Sequence, residues 1–235
     1  MIVLKLNDAN YHHAWQLQER IHASVVDGGQ EHLLIVEHAP VITLGRRAGN
    51  EIHIVASDDM LRAKGVEVVQ SDRGGDVTFH GPGQLVCYPI IRLIDHQLSV
   101  GSYVRCLEIA MIETLAQFRI DAGKDACAIG VWVKSSPDAK AAKIGAVGVR
   151  VRRGVTLHGL AMNVSTDLSY FDLIVPCGLK GRPVTSMKKI LGDACPATDA
   201  VESALVENIR RLLNTPRDRW AVPKIVGEGK PLCDT

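Results

Sequence analysis

Apolar residues recur every three or four positions in three stretches of the chain. The clearest is the stretch 99–120, whose apolar positions are Val100, Tyr103, Leu107, Met111, Leu115 and Phe118. This is the spacing of one face of an α-helix, so we expect a long amphipathic helix here. The stretches 10–29 and 198–214 predict two more helices, the first ending near Gly28 and the second capped by Thr198.

Short runs of apolar and β-branched residues predict strands in much of the remaining chain. They cover the stretches 32–47 (broken at Pro40), 66–70, 76–79, 84–93, 127–133, 143–153 and 155–164. One short helix, capped by Ser57 and reaching Lys64, interrupts them. Because the strands neighbour one another instead of alternating with helices, the pattern predicts an α+β fold, a mixed β-sheet packed with helices.

Composition adds limits on organisation and on partners. The chain has 235 residues without an internal repeat, so we expect one domain over residues 1–215 and an extended C-terminal appendage over 216–235, where prolines and glycines accumulate. A net charge of +1 argues against a nucleic-acid-binding protein. The chain also has no signal sequence or apolar run of membrane-spanning length, so we expect a cytoplasmic protein without membrane attachment.

Six cysteines are scattered along the chain without a CxxC pair, which argues against a disulfide framework or a zinc site. Cys106 falls on the apolar helix and Cys87 in a strand, so both are expected to be buried thiols. Cys177 is different because it stands between Pro176 and Gly178 in the loop sequence "IVPCGLKG". It is therefore the candidate for a reactive thiol.

The most unusual stretch is "RGGDVTFHGPGQLVCYPI", residues 73–90, in which four glycines and a proline surround His80. Dinucleotide and phosphate loops require a helix directly after the glycines, and here a strand follows, so both are rejected. Glycine backbone approaches a ligand closely, which suits the binding of a carbonyl group or a thin acyl chain. Taken alone, the stretch is better explained as an ordinary tight turn with a satisfied histidine.

A nucleophilic cysteine needs a cation or a helix N-terminus that stabilises its thiolate. The candidates for that cation are Lys143, His80 and His158. Lys143 directly precedes a glycine-containing apolar strand, whereas Lys140 lies in a polar loop and is expected to be solvated. From spacing alone, Lys143 is better explained as a solvated strand end.

Four motifs in order, "IVEHAPVITLGR", "RGGDVTFHGPGQLVCYPI", "KIGAVGVRVRRGVTLHGLAMNV" and "VPCGL", make the chain resemble the octanoyltransferase (lipoyl(octanoyl) transferase) family. The resemblance covers about residues 30–190. It implies the fold of biotin and lipoate protein ligase catalytic domains. It also implies an acyltransferase that moves an octanoyl group from octanoyl-acyl carrier protein, through a cysteine thioester, to a lysine of a lipoyl domain.

Residue roles follow from the same resemblance, position by position. It implies that Cys177 is the acyl-thioester nucleophile and that Lys143 lowers the pKa of this thiol and shuttles protons. The walls of the acyl site would be Arg73, Gly74, Gly75, Asp76, Val77, Thr78, Phe79, His80, Ala146, Val147, Gly148, Gly159, Leu160 and Ala161. Two departures are visible: Phe79 replaces a frequent tyrosine, and the insertion "KSSPDAKAA" lengthens the loop before Lys143.

The family implies no cofactor and no metal, because thioester exchange is nearly neutral in energy and amide formation from a thioester is downhill. The implied donor is octanoyl-acyl carrier protein. The implied acceptors are the lipoyl domains of 2-oxoacid dehydrogenase complexes and the glycine cleavage H protein, with the enzyme itself a monomer. Both substrates are typically acidic, so the candidate docking residues are Arg46, Arg47, Arg150, Arg152 and Arg153.

Three other functions remain open at this point. An ATP-dependent lipoate or biotin ligase would share the fold and the glycine-rich stretch, but it has no need of a nucleophilic cysteine. A cysteine hydrolase using Cys177 with His80 or His158 would release free acid without an acceptor. A non-catalytic acyl-binding protein would keep the fold and the binding after loss of the thiol.

Overall fold

A computed structural model describes residues 1–47, 53–134, 136, 139–175 and 182–226. The strands are β1 (Ile2–Ala9), β2 (His32–His38), β3 (Val41–Leu44), β4 (Glu67–Gln70), β5 (Val77–His80), β6 (Gln84–Ile90), β7 (Ala122–Gly123), β8 (Val131–Val133), β9 (Ala142–Arg152) and β10 (Val155–Asn163). The α-helices are α1 (Tyr11–Val26), α2 (Asp58–Ala63), α3 (Val100–Gln117), α4 (Met187–Leu191) and α5 (Thr198–Leu213).

The strands form two sheets of mixed direction. The larger sheet has seven strands in the order β1-β2-β6-β10-β9-β8-β7, of which only the β1–β2 pair is parallel. The smaller sheet has the order β4-β3-β5, with β3 parallel to β4 and antiparallel to β5. This arrangement confirms the α+β class and the mixed sheet predicted from the sequence.

Helices cover the large sheet because its strands carry apolar residues that must leave water. Leu107 and Met111 of α3 and Leu205 of α5 share one buried cluster with Leu33 and Leu160 of the sheet. A separate cluster joins Ala14 of α1 to residues of β2, β6 and β10. The small sheet has its own core, which includes Ile42, Phe79 and Phe171.

Most of the predicted elements are confirmed, and the differences are local. Ser57 caps α2 by accepting a hydrogen bond from the Met60 N–H, as expected. Thr198 does not cap α5, because it is already the first helical residue after Ala197, which makes no side-chain cap. The strand β1 was not predicted, and it pairs in parallel with β2 at the edge of the sheet.

The end of the chain packs on the domain as far as residue 226. Trp220 is buried in the main core, and its indole N–H lies 3.0 Å from the Thr215 carbonyl oxygen. Ile225 then pairs in parallel with Lys124, next to β7. Residues 227–235 of the expected appendage lie outside the described part of the chain. In that described part, no helix has the length and apolar character needed to cross a membrane.

Candidate active site

A cavity of about 860 Å³ brings together almost all of the described residues to which the family resemblance gives a role. Its lining includes Lys143 together with Arg73, Gly74, Gly75, Asp76, Val77, Thr78, His80, Ala146, Val147, Gly148, Gly159, Leu160 and Ala161. Phe79 is not among the lining residues, because its ring stacks on Tyr170 at 4.6 Å in the core of the small sheet. Position 79 therefore belongs to this core and not to the cavity wall. Cys177 lies outside the described residues.

Glycine allows the wall to be built from backbone in close contact. The Gly74 N–H donates to the Val149 carbonyl at 2.9 Å, so the glycine-rich stretch crosses the edge of β9. A Cβ atom on Gly148 would stand 2.9 Å from the Gly74 carbonyl oxygen, which is closer than real Cβ contacts come. Gly75 has a φ of +92°, a conformation that side chains disfavour. The crossing therefore depends on these glycines.

Arg73 fixes the start of the glycine-rich stretch. Its side chain is buried, and its guanidinium donates to the Thr43 hydroxyl and carbonyl oxygens at 2.6–3.0 Å. Hydrogen bonds from a charged donor are stronger than neutral ones. They join the stretch to β3 of the small sheet, so Arg73 has a structural role as well as a place in the cavity wall.

His80 is held by a chain of side-chain amides. Its Nδ1 lies 2.7 Å from Gln84 Oε1, and the Gln84 amide donates to Asn163 Oδ1 at 2.9 Å. Asn163 in turn donates to the Thr185 carbonyl at 3.0 Å. This order assigns the His80 proton to Nδ1 and leaves Nε2 as an acceptor. Burial lowers the pKa of His80 well below its usual value, so the ring is neutral at pH 7.

Two further buried histidines stand beside His80. His38 contacts the Tyr88 hydroxyl at 2.8 Å, and burial lowers its pKa to about 4. Burial, with the Arg73 charge, lowers the pKa of His158 to about 3. Both rings are therefore neutral at pH 7.

His158 nevertheless lies 2.7 Å from Asp72 Oδ1, a contact that would favour the charged imidazole. Arg150 binds the other oxygen of the same carboxylate, so its charge offsets this attraction. The contact is then a hydrogen bond from a neutral ring. Consequently neither His80 nor His158 supplies the cation that a thiolate at this site requires. Of the three candidates, Lys143 remains.

Lys143 lies on β9, where its backbone is joined to the chain that follows residue 181. Its N–H donates to the Pro183 carbonyl and its carbonyl accepts from the Thr185 N–H, both at 2.9 Å. Its Nζ donates to the Ile129 carbonyl at 3.1 Å and lies 4.8 Å from the centre of a Trp132 ring. The ammonium is therefore held at the cavity wall by a carbonyl and an aromatic face.

The chain on the other side of residues 176–181 also adjoins the cavity. The Val175 N–H donates to the His53 carbonyl at 2.7 Å, and Ile174 pairs with Ile54. The His53 ring in turn lies 2.7 Å from the carboxylate of the cavity residue Asp76. The two described ends of the segment that contains Cys177 thus contact Lys143 on one side and a neighbour of Asp76 on the other.

Sequence reasoning missed two residues at this site. His53 was not considered, and Cys127 was assigned to a strand, whereas β8 begins at Val131. Cys127 is exposed and lines the cavity, in a turn where Asp125 accepts from the Cys127 and Ala128 N–H groups at 2.9 and 3.0 Å. An Asp two residues before Cys127 is the sequence signal that favours this turn.

The five candidate docking arginines fall into two groups. Arg46 and Arg47 are exposed and line the cavity. Arg150 is paired with Asp72 and Arg152 with Glu19, while Arg153 is exposed at the turn between β9 and β10. The described residues contain no group of three His, Cys, Asp or Glu side chains placed to hold a metal ion.

Residues 10–210 match the model of the lipoyl protein ligase A/B catalytic domain family. An octanoyltransferase of Chloroflexus aggregans is 48% identical over 205 residues, which cover 86% of this chain and 90% of the relative. An octanoyltransferase of Solibacter usitatus is 50% identical over 184 residues, covering 78% and 80%. Another, from Koribacter versatilis, is 43% identical over 232 residues, covering 92% and 91%.

Two solved ligases have a similar fold. A bipartite lipoate protein ligase of Thermoplasma acidophilum has a TM-score of 0.72 at 20% identity, covering 90% of this chain and 83% of its own. A biotin protein ligase of Aquifex aeolicus bound to biotin and ATP has a TM-score of 0.56 at 14% identity, covering 93% and 72%. At these identities the likeness concerns the fold alone.

Proposed function

The chain belongs to the octanoyltransferase family, and from that premise we propose that it transfers octanoyl groups from octanoyl-acyl carrier protein to a specific lysine of lipoyl domains. Octanoyl transfer in protein lipoylation makes it an acyltransferase. The donor, the thioester intermediate and the identity of the acceptors are the proposed part. The observation that carries the proposal is the 41–50% identity to octanoyltransferases over most of the chain.

The proposed nucleophile is Cys177. Among the described thiols, Cys87 and Cys106 are poor candidates, because burial raises the pKa of both, that of Cys106 to about 12. Cys127 is exposed in the cavity and is therefore the rival thiol that an experiment must exclude. Cys177 is favoured because it stands in the family motif "VPCGL" and because the described chain on both sides of it adjoins the cavity.

Lys143 is the proposed proton carrier of the first half-reaction. As an ammonium it stabilises the Cys177 thiolate, which attacks the thioester carbon of the donor. The new carbon–sulfur bond forms as the bond to the carrier's thiol breaks, and Lys143 gives its proton to that leaving sulfur. Acylation removes the thiolate charge, so Lys143 is left neutral and ready to take a proton in the second half-reaction.

The cavity wall suits an octanoyl chain in length and polarity. From Lys143 to Val149, strand β9 extends about 20 Å at about 3.3 Å per residue. An eight-carbon chain needs about 9 Å, given C–C bonds of about 1.5 Å. The wall beyond Lys143 includes the apolar side chains of Ala146, Val147 and Leu160, against which such a chain loses its contact with water.

We place the docking of both protein substrates at the exposed arginines beside the cavity. Arg46 and Arg47 are accessible there, whereas Arg150 and Arg152 are already paired within the chain. The proposed acceptors are the lipoyl domains of 2-oxoacid dehydrogenase complexes and the glycine cleavage H protein. The enzyme is proposed to act as a monomer, in the cytoplasm.

The test is transfer without ATP. Purified protein is mixed with octanoyl-acyl carrier protein and a lipoyl domain, and the acceptor mass is followed with time. The proposal predicts one added octanoyl group per acceptor and no change when ATP is supplied. Turnover that requires ATP and free octanoate would instead identify a ligase. Release of free octanoate without acceptor modification would identify a hydrolase.

A further inference from the structure

His53 and Asp76 form a pair of polar groups next to the cavity whose hydrogen bonds are incomplete. The Nδ1 atom of His53 lies 2.7 Å from Asp76 Oδ2, which is an ion-pair distance. The ring N–H is not aligned with that oxygen, so Nδ1 and Asp76 Oδ1 are both buried without a hydrogen-bond partner among the described residues. Unsatisfied buried polar groups are rare and call for an explanation.

The second half-reaction of the proposed function has a proton left over. The target lysine is an ammonium at neutral pH, with three N–H bonds, and the amide that it forms keeps one. Two protons must therefore leave the nitrogen. Neutral Lys143 takes one as the C–N bond forms and the bond to the Cys177 sulfur breaks, which restores the resting thiolate and ammonium. The other proton must leave first, because an ammonium has no lone pair with which to attack.

The cavity does not favour an ammonium. Once acylation has left Lys143 neutral, the described lining of the cavity still includes the cations Arg46, Arg47 and Arg73, and Asp76 is the acidic side chain among the described lining residues. Like charges nearby disfavour the charged form of an entering lysine. A carboxylate with an adjoining imidazole provides both a negative charge to attract the ammonium and a base to take its proton.

The other histidines near the cavity are unsuited to this role. His38, His80 and His158 are buried, and burial lowers their pKa values, so these rings are weak bases without a route for the proton to solvent. The side chain of His53 is 29% exposed, so it can return a proton to solvent. Among the described titratable groups, Asp76 is the one in contact with its ring. A histidine oriented by a carboxylate is a recurrent general base in enzymes.

We propose that His53, positioned by Asp76, is the general base that takes the first proton from the target lysine of the acceptor domain. The proton moves from the lysine ammonium to the imidazole and then to solvent, and the neutral amine goes on to attack the octanoyl thioester. His53 is therefore required for aminolysis and not for acylation of the enzyme. The inference rests on the proposed function, because it assumes an octanoyl-enzyme intermediate.

The experiment separates the two half-reactions. Wild type, His53→Gln and Asp76→Asn are first acylated with octanoyl-acyl carrier protein, and the octanoyl-enzymes are then mixed with a lipoyl domain in single turnovers. For His53→Gln we expect acylation within about twofold of wild type and aminolysis slower by about 100-fold at pH 7. Asp76→Asn, which removes the orienting charge, should slow aminolysis by about tenfold. His12→Gln, at an exposed histidine paired with Glu67, is the matched control.

A merely structural role is excluded by changing the nucleophile. Hydroxylamine is uncharged at neutral pH and needs no base to release its lone pair, so it should remove octanoate from His53→Gln as fast as from wild type. The aminolysis defect should also shrink near pH 10, where about 30% of free lysine is neutral. Imidazole added to His53→Ala should restore part of the rate.

Equal aminolysis by wild type and His53→Gln would overturn the inference and leave the proposed function intact. A defect that persists with hydroxylamine, or that appears already in acylation, would overturn it as well, since the base would then not act on the amine. If wild type forms no octanoyl-enzyme, the proposed function itself fails, and the inference fails with it.

Discussion

The two sides of the cavity differ in how their polar groups are held. On the buried side, Tyr11, Tyr88, His80 and His158 face the cavity, and each makes a hydrogen bond to a neighbouring side chain. The exposed side carries Arg46, Arg47, Cys127 and Ile129. These four buried groups are neutral and fixed, whereas the exposed side carries the Arg46 and Arg47 charges and is open to solvent.

The comparison shows how one fold separates binding from proton transfer. Protonation of a histidine that burial keeps neutral is costly in free energy. Such a ring can instead keep its position in the cavity wall and present a fixed hydrogen-bond acceptor. Groups that retain contact with water can exchange protons during a catalytic cycle. We therefore propose that the buried side fixes the shape of the cavity, and that Lys143 and His53 transfer protons.

The largest effect is expected at the lysine of the cavity wall. Lys143→Met keeps the aliphatic stem and removes the charge, so the thiolate loses its stabilising cation and the leaving sulfur loses its proton donor. We expect the rate of octanoyl-enzyme formation to fall by about 10²- to 10⁴-fold, measured by quenched mass spectrometry. Lys140→Met, at an exposed loop lysine, is the control. A fall of less than threefold at Lys143 would assign proton transfer to another group.

Acid should affect the buried side strongly. Because the pKa values of His38, His80 and His158 are lowered in the folded protein, the unfolded chain binds more protons as the pH falls below about 6.5. The stability that depends on these neutral rings is thus present above that pH and is lost as the pH falls toward 4. Each histidine adds about 1.4 kcal/mol of lost stability per pH unit in this window.

Urea unfolding at pH 7, 6 and 5 measures this loss. We expect His80→Gln to reduce the average slope of stability against pH by about 1 kcal/mol per unit over this range, because one of the three titrating rings is removed and its effect begins only near pH 6.5. His12→Gln, at an exposed ring, should leave the slope unchanged. An unaltered slope in His80→Gln would mean that His80 is charged in the folded state.

The sheet behind the cavity tolerates no side chain at Gly159. A Cβ atom there would lie 2.2 Å from the Cys87 carbonyl oxygen and 2.8 Å from Pro89 Cδ. Gly159→Ala should therefore lower the free energy of unfolding by about 3 kcal/mol. Gly101→Ala in α3, where the nearest atom is 4.0 Å away, should raise it by about 0.5 kcal/mol. Urea unfolding compares the two, and equal values would contradict the packing described for Gly159.

The smallest effect is expected at the exposed arginines. Reversing the charges of Arg46 and Arg47 together should raise the KM for octanoyl-acyl carrier protein by about three- to tenfold, with acylation at saturation little changed. The effect should shrink at high salt. Reversal of Arg217 and Arg219, which are exposed elsewhere on the chain, is the matched control. The same rise in both double variants would indicate non-specific attraction and no docking site.

Local patterns were enough to predict most of the fold. The helical spacing of α3, the cap at Ser57 and the break at Pro40 all depend on residues that are close in sequence. Ile2, Leu4 and Leu6 occupy every second position of β1, but the strand was not predicted. Its parallel pairing with β2 joins segments that α1 separates in sequence, and local patterns do not show such a contact. Thr198 was misassigned because helix boundaries depend on the local backbone conformation.

The site was less accessible to sequence reasoning than the fold. The resemblance identified the residues of the wall, but not which groups they contact. The His53–Asp76 contact joins residues that α2 and β4 separate in sequence, with Asp76 inside the glycine-rich stretch. Likewise, the neutrality of His80 and His158 follows from burial by elements distant in sequence. Such contacts require the fold.

The most direct test of the account is the mass of the acylated protein. Wild type, Cys177→Ala and Cys127→Ala are incubated with octanoyl-acyl carrier protein, without ATP or acceptor, and their intact masses are recorded before and after hydroxylamine. The account predicts one hydroxylamine-labile octanoyl group on wild type and on Cys127→Ala, and none on Cys177→Ala. An adduct retained by Cys177→Ala and lost from Cys127→Ala would contradict it and make Cys127 the nucleophile.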